Sequence, residues 1–101
     1  MTTQAQKQYR ADRLSFAVSD AGEAMAAASG HGLELRRCGS YHYQIRPVQG
    51  PEWIINLWPS TGKMHFDDIP EAGKAGRAPR IQPKQKWTLL DIVQLVIGAK
   101  Q

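Results

Sequence analysis

The chain has little cysteine and no long apolar segment. Cys38 is the single cysteine among 101 residues, so no disulfide can form within the chain, which fits a reducing compartment. No apolar run approaches the ~18 residues of a membrane-spanning helix, and the first residues lack the apolar core of a secretory signal. These absences predict a cytoplasmic protein that does not enter a membrane.

Acidic residues are absent from residues 72–90, an interval that contains five cations, Lys74, Arg77, Arg80, Lys84 and Lys86. Residues 70–86 also include three prolines and two glycines, so we expect a basic loop there rather than a helix or a central strand. Such a loop is either a solvated linker or an arm that follows phosphates or an acidic protein surface. The formal charge of +4 suits either partner without requiring one.

The composition allows one compact domain over residues 1–101, since 42% of the residues are hydrophobic and the chain is too short for two cores. Apolar residues recur at helical spacing from Ala11 to Ser29, which predicts one helix that ends at Gly30. Residues 1–10 either extend this helix or fray at its start.

A second helix is predicted near the end of the chain, in the segment "KWTLLDIVQLVIGAK". Thr88 and Asp91 form the pattern of a capping box, and Trp87 can pack as a hydrophobic staple before the cap. The apolar stripe that follows ends near Gly98.

Between the helices, four short segments rich in aromatic and branched residues predict strands: "LELRR", "YHYQIRP", "WIINLW" and "KMHFD". The turn "PSTG" precedes a lysine, so "STGK" resembles the end of a phosphate-binding loop. That loop requires glycine five positions before Gly62, where Leu57 stands, and serine or threonine after Lys63, where Met64 stands. We therefore predict a hairpin turn with a positive φ at Gly62.

The strand pairing that brings the large apolar residues to one face is the expected one, because a one-residue slip inverts every side chain. This predicts Arg37 opposite Tyr41, Arg46 opposite Glu52 and Trp58 opposite Lys63. The expected core face carries Leu33, Leu35, Tyr41, Tyr43, Ile45, Trp53, Ile55, Leu57, Met64 and Phe66. The predicted fold is α+β with two layers in the order α-β-β-β(-β)-α, an antiparallel sheet with both helices on one face.

The opposite face is mostly polar, and the same registers align Arg36, His42, Asn56 and His65 across four adjacent strands. The two histidines are then on the order of 10 Å apart. Trp58 lies one row along, where an exposed indole can stack on a base or anchor a protein contact. The simpler interpretation is a solvated surface on which arginines form cross-strand ion pairs, including Arg46.

Histidine chemistry on this face would suit metal-independent RNA cleavage. RNA supplies its own 2′-hydroxyl nucleophile, so a protein needs only a proton acceptor, a proton donor and cations around the phosphate. Histidine suits the first two roles because imidazole titrates near neutral pH. We predict His42 and His65 as catalytic candidates and Arg36, Arg46, Asn56, Trp58, Lys63 and the basic loop as binding residues. We expect no cofactor and no metal, since Cys38, His42 and His65 lack the usual zinc spacing.

The stretch "GLELRRCGSYHYQIRP", together with the helix start "WTLLDIVQ", resembles the HicA-like messenger-RNA interferase toxins. That family has a double-stranded-RNA-binding-like fold of helix, three strands and helix, with a catalytic histidine in a Gly-Ser-His run. Here Gly39 and Ser40 are followed by Tyr41 and then His42, so the histidine is displaced by one position. The resemblance implies RNA cleavage through His42.

Three functional hypotheses follow. The first is an RNA-binding domain that also cleaves RNA. The second is a non-catalytic protein inhibitor of phage or mobile-element type, which engages an acidic or nucleic-acid-binding surface through Trp58, Ile54 and the basic loop. The third is a structural accessory protein that forms a homodimer through sheet faces or edge strands.

Overall fold

The computed structural model describes residues 4–49, 52–71, 74–83 and 86–100, with the backbone alone at residues 69–71, 74–76 and 100. Within these ranges it has three helices, α1 (Gln4–Ala17), α2 (Ala21–Gly30) and α3 (Leu89–Lys100). The strands are β1 (Leu33–Arg37), β2 (Tyr43–Pro47), β3 (Trp53–Trp58), β4 (Lys63–Glu71) and β5 (Lys74–Gly76). They form an antiparallel sheet in sequence order, and the predicted α+β class is confirmed.

The first helical segment is interrupted, so the single helix predicted from Ala11 to Ser29 is wrong. α1 begins at Gln4 and ends at Ala17, and α2 begins after a short break at residues 18–20. In that break the Ser19 hydroxyl donates a hydrogen bond of 2.8 Å to the Phe16 carbonyl. Serine hydroxyls compete in this way with the backbone donors that would continue a helix.

α1 lies at the edge of the fold, because Ala17 is its one buried residue. Arg13 attaches the helix to the core through Trp87. Its guanidinium carbon lies 5.5 Å from the centroid of that indole, and Nη1 donates to the Trp87 carbonyl at 3.4 Å. Tyr9 and Phe16, by contrast, are 67% and 46% exposed.

The pairing of β3 with β4 is as predicted, with Trp58 opposite Lys63. The pairing of β1 with β2 is shifted by two residues, since Arg37 lies opposite Tyr43 rather than Tyr41. The predicted second strand therefore started too early, and Tyr41 is 50% exposed in the connection before β2. Its placement in the core was wrong.

The pairing of β2 with β3 is shifted by the same amount. Ile45 lies opposite Ile55, whereas the sequence predicted Trp53 as its partner. Side chains alternate along a strand with a period of two, so a two-residue shift changes the neighbours of a side chain but not its face. The predicted faces are therefore correct within the strands even though two registers are not.

The core lies between the sheet and the pair formed by α2 and α3, which pack against each other. The sheet contributes the buried side chains of Leu33, Leu35, Tyr43, Ile45, Trp53, Ile55 and Leu57. Met64 and Phe66 pack partly buried against this cluster. The helices contribute Ala24, Ala28, Leu89, Ile92, Val93 and Val96. The small alanines of α2 let that helix approach both α3 and the sheet.

The start of α3 confirms the predicted capping box. The Asp91 N–H donates to Thr88 Oγ1 at 3.2 Å, and the Thr88 N–H donates to Asp91 Oδ2 at 3.0 Å. Two N–H groups that lack partners within the helix are thereby satisfied. Trp87, before the cap, is buried. The helix passes Gly98 and continues to Lys100, slightly beyond the predicted end.

The turn between β3 and β4 is the predicted hairpin turn. Gly62 has a φ of +75°, and its N–H donates to the Trp58 carbonyl at 2.8 Å. This left-handed conformation is accessible to glycine without steric cost. "PSTG" is therefore a bend in the sheet and not a loop that precedes a helix.

The basic loop is shorter than the predicted residues 70–86. β4 continues to Glu71 and pairs with β5, so residues 70–71 and 74–76 lie in strands rather than in a loop. Beyond β5, the Asp68 carboxylate accepts hydrogen bonds from the Ala78 N–H at 2.7 Å and from the Arg80 guanidinium. Ala78 is buried and Ile81 packs against the core, so this part of the chain is held against the domain.

Candidate functional site

The face of the sheet opposite α2 and α3 carries most of the predicted site. We call it the open sheet face. Directly opposed residues share a face, and Arg36, Gln44, Asn56 and His65 follow one another through the three registers. The sequence placed His42 at the position that Gln44 occupies, and the two-residue shift is the reason for the difference. His42 lies immediately before β2.

His42 is nevertheless held on the open sheet face. Its carbonyl accepts backbone hydrogen bonds from Cys38 at 2.8 Å and from Gly39 at 3.2 Å, which fixes the chain before β2. Its imidazole stacks on the Trp58 indole with a centroid distance of 4.7 Å and an interplanar angle of 3°. Its Nε2 lies 2.8 Å from Asn56 Oδ1.

Asn56 is the centre of this surface, and only 7% of it is exposed. Besides the His42 contact, its Oδ1 accepts a hydrogen bond from Gln44 Nε2 at 3.0 Å. Its Nδ2 donates to Asp67 Oδ2 at 3.0 Å. The amide therefore uses both of its ends, as a buried polar group should.

Asp67 extends the chain of contacts to the second histidine. Its Oδ1 lies 3.1 Å from Nδ1 of His65, and the two side chains are 47% and 61% exposed. The result is a continuous path from His42 through Asn56 and Asp67 to His65. With Gln44 included, we call these five residues the Asn56 network.

Trp58 is less available than the sequence predicted. His42 stacks on one face of its indole, and Lys63 Nζ lies 5.7 Å from the ring centroid. His42 immediately precedes β2 and Lys63 begins β4, the two strands that flank β3. Trp58 is half-buried, and its role in the described contacts is to hold the His42 ring. Base stacking on the covered face would require the imidazole to move.

The predicted cations divide into two groups. Arg36 and Lys63 are exposed on the open sheet face, and Arg46 forms an ion pair with Glu34 at 3.1 Å. That cross-strand pair is the simpler role that the sequence also allowed for Arg46. Two cations are therefore left on this face without a described carboxylate partner.

The basic loop does not join them. Arg80 pairs with Asp68, and its guanidinium carbon lies 4.8 Å from the Phe66 ring centroid, on the helix side of the sheet. Arg77 and Lys86 are exposed. Lys84 lies outside the described residues, and for Lys74 the structure gives the backbone in β5. Arg80 therefore does not connect the basic loop to the face that carries the histidines.

The sequence does not indicate two members of the Asn56 network, Gln44 and Asp67, as site residues. Strand alternation did place both on the polar face. The signal that could have found Asp67 is its spacing from His65, since residues two apart on a strand point to the same side. Gln44 required the correct register.

Comparison with known proteins adds no relative: no protein-family model, no curated protein and no solved structure matches the chain. Within the described residues, no group of three or more histidine, cysteine or acidic side chains is arranged to hold a metal ion. None of the helices in this part of the chain has the length and apolarity needed to cross a membrane. The fold and the open sheet face define a small basic α+β domain with a histidine-containing polar network.

Proposed function

We propose that the chain is an RNA-directed domain that binds RNA on the open sheet face and cleaves it without a metal. The observation that supports this is the Asn56 network, which connects two imidazoles on one surface through a buried amide and a carboxylate. A solvated strand face does not need a buried asparagine with three partners. His42 and His65 are the residues that exchange protons with the substrate in this proposal.

Metal-independent RNA cleavage requires one group that accepts a proton and one that donates a proton, and two imidazoles can fill these roles. The RNA 2′-oxygen attacks the adjacent phosphorus while its proton passes to one imidazole. The bond from phosphorus to the 5′-oxygen breaks as the other histidine, in its protonated form, gives its proton to that oxygen. The products are a 2′,3′-cyclic phosphate and a 5′-hydroxyl, with no net change in protons. DNA lacks the 2′-hydroxyl and would be left intact.

Arg36 and Lys63 supply positive charge on the same face. Fixed cations near the phosphate stabilise the charge that develops on its oxygens in the transition state. They would also make RNA binding weaken as salt increases, since binding releases counterions. The proposal places the protein in the cytoplasm, where exposed Cys38 would stay reduced.

The test is incubation of the protein with mixed RNA in EDTA, using wild type, His42→Ala and His65→Ala. We expect cleavage by the wild type and a loss of roughly 10²–10⁴-fold in rate in either variant. His31→Ala is the matched control, because His31 follows α2 and lies outside the Asn56 network. Intact RNA with the wild type, or equal rates in all the variants, would reject the catalytic proposal.

RNA binding can be tested separately. Retention of a 2′-deoxy RNA analogue should decrease with salt and should be weaker in a double variant of Arg36→Ala and Lys63→Ala. If the wild type neither cleaves RNA nor retains the analogue, the RNA-directed function is wrong in both parts.

A second candidate is protein binding of the inhibitor type, and one observation favours it. Tyr9 and Phe16 are exposed on α1, seven residues apart and so on the same side of the helix. The interface predicted through Trp58 is less suitable, since His42 covers its ring. Capture of a protein that survives nuclease treatment and is lost in the Tyr9→Ser, Phe16→Ser double variant would support this candidate.

A further inference from the structure

Asp67 divides its two carboxylate oxygens between the two halves of the Asn56 network. Oδ2 accepts from Asn56 Nδ2 at 3.0 Å, and Oδ1 lies 3.1 Å from His65 Nδ1. An ionised carboxylate accepts hydrogen bonds and donates none. The Asn56 nitrogen donates to Oδ2, so the NH₂ group of that amide faces Asp67. A hydrogen on His65 Nδ1 is favoured at the other oxygen, because a ring lone pair turned toward Oδ1 at 3.1 Å would be repelled by the carboxylate.

This fixes the direction of the Asn56 amide. With its NH₂ group turned toward Asp67, its oxygen faces His42 Nε2 at 2.8 Å and Gln44 Nε2 at 3.0 Å. An amide oxygen only accepts, so the nearby imidazole nitrogen must be the donor. The reversed amide would place its oxygen against a carboxylate oxygen, which is repulsive.

We propose that Asp67 is a positioning residue that sets the tautomer of both histidines. Through Asn56 it keeps hydrogen on Nε2 of His42, and by direct contact it keeps hydrogen on Nδ1 of His65. The nitrogen atoms left to exchange protons are Nδ1 of His42 and Nε2 of His65. That these two nitrogen atoms exchange protons with RNA rests on the proposed function. The assignment of the tautomers does not depend on that function.

Removal of Asp67 should change the tautomer of His42, although the two residues are not in contact. In Asp67→Ala the Asn56 amide has no carboxylate to orient it, and Gln44 can reverse together with it. The NH₂ group of Asn56 can then donate to His42 Nε2, which places the hydrogen on Nδ1 instead. His42 should then populate both tautomers.

The experiment is long-range ¹H–¹⁵N correlation NMR of histidine-labelled protein, at a pH where the rings are neutral. The three histidines are assigned with His31→Gln and His65→Gln variants. For the wild type we expect a roughly tenfold excess of the Nε2–H form of His42, the preference that one correctly placed hydrogen bond gives. The Nδ1–H form should predominate for His65.

In Asp67→Ala we expect the His42 tautomers to approach equal populations. Gln44→Ala is the matched control: it removes a contact to the same Asn56 oxygen but leaves Asp67 in place, and should keep the Nε2–H form. Amide spectra show whether each variant is folded. An Nδ1–H form of His42 in the wild type, or the same tautomer ratio in folded Asp67→Ala, overturns the inference.

RNA cleavage separates this inference from the proposed function. If the tautomers behave as expected while RNA stays intact, the positioning role of Asp67 stands and the ribonuclease proposal fails. If RNA is cleaved but the tautomers do not respond to Asp67→Ala, the positioning role fails alone. If both hold, Asp67→Ala should lower the cleavage rate by about twofold, because the competent tautomer of His42 falls from roughly nine-tenths of the molecules to about half. Retention of the 2′-deoxy analogue should not weaken, since the variant removes a negative charge from the face that binds RNA.

Discussion

Replacement of Asn56 by alanine should measure the strength of the Asn56 network. Asn56 is 7% exposed and takes part in three hydrogen bonds, one of them to the Asp67 carboxylate. Two neutral bonds and one to a charged group sum to about 2.5–6 kcal/mol. The partners are partly exposed and regain water when Asn56 is removed, so we expect unfolding free energy to fall by about 2 kcal/mol, below that range.

Urea denaturation followed by tryptophan fluorescence is a suitable assay, because Trp53 and Trp87 are buried and report on the core. The urea concentration at the midpoint should decrease while the slope of unfolding free energy against urea concentration stays constant. This combination marks a change in stability rather than in the denatured state. Gln44→Ala, which removes one of the three bonds, should cost about 1 kcal/mol or less. If Asn56→Ala is no more destabilising than Gln44→Ala, the three bonds do not act together and the network is refuted.

Three further predictions concern the helix cap at Thr88, the contrast between two glycines, and the contact of Asp68 with Ala78. Thr88→Ala removes half of the capping box and should lower unfolding free energy by about 1 kcal/mol; an unchanged melting temperature would contradict the cap. Gly62→Ala forces a side chain into a φ of +75° and should cost about 1 kcal/mol. Gly22→Ala should instead stabilise by about 0.5–1 kcal/mol, since an added methyl group there meets no atom within 4 Å. The same sign in both glycine variants would refute this contrast. Asp68→Ala should speed hydrogen exchange at the Ala78 amide, its partner at 2.7 Å, and equal protection would show that Asp68 does not hold the segment.

Several features of the fold could be predicted because they depend on nearby residues. The capping box needs only Thr88 and Asp91, which are three positions apart. The turn at Gly62 needs only a four-residue loop between two strands. The break between α1 and α2 escaped prediction, since the apolar spacing continues through it and the Ser19 hydroxyl gives no periodic signal.

The composition of the site was harder to predict than its face. His42, Asn56 and His65 were placed on the polar side of the sheet, where the structure has them. Their contacts depend on a carboxylate, Asp67, that reaches along its own strand, and on a ring that stacks on Trp58. Such contacts depend on how far each side chain reaches and on the actual strand register. The alternation of side chains along a strand predicts neither of these.

The sequence alone determined which side of the sheet each strand residue faces, because that depends only on whether its position is odd or even within the strand. The tertiary structure decided which residues are neighbours, since a register shift of two keeps the alternation and is fixed by loop length and packing against α2 and α3. It likewise decided that Arg80 lies on the helix side, because Asp68 binds it there.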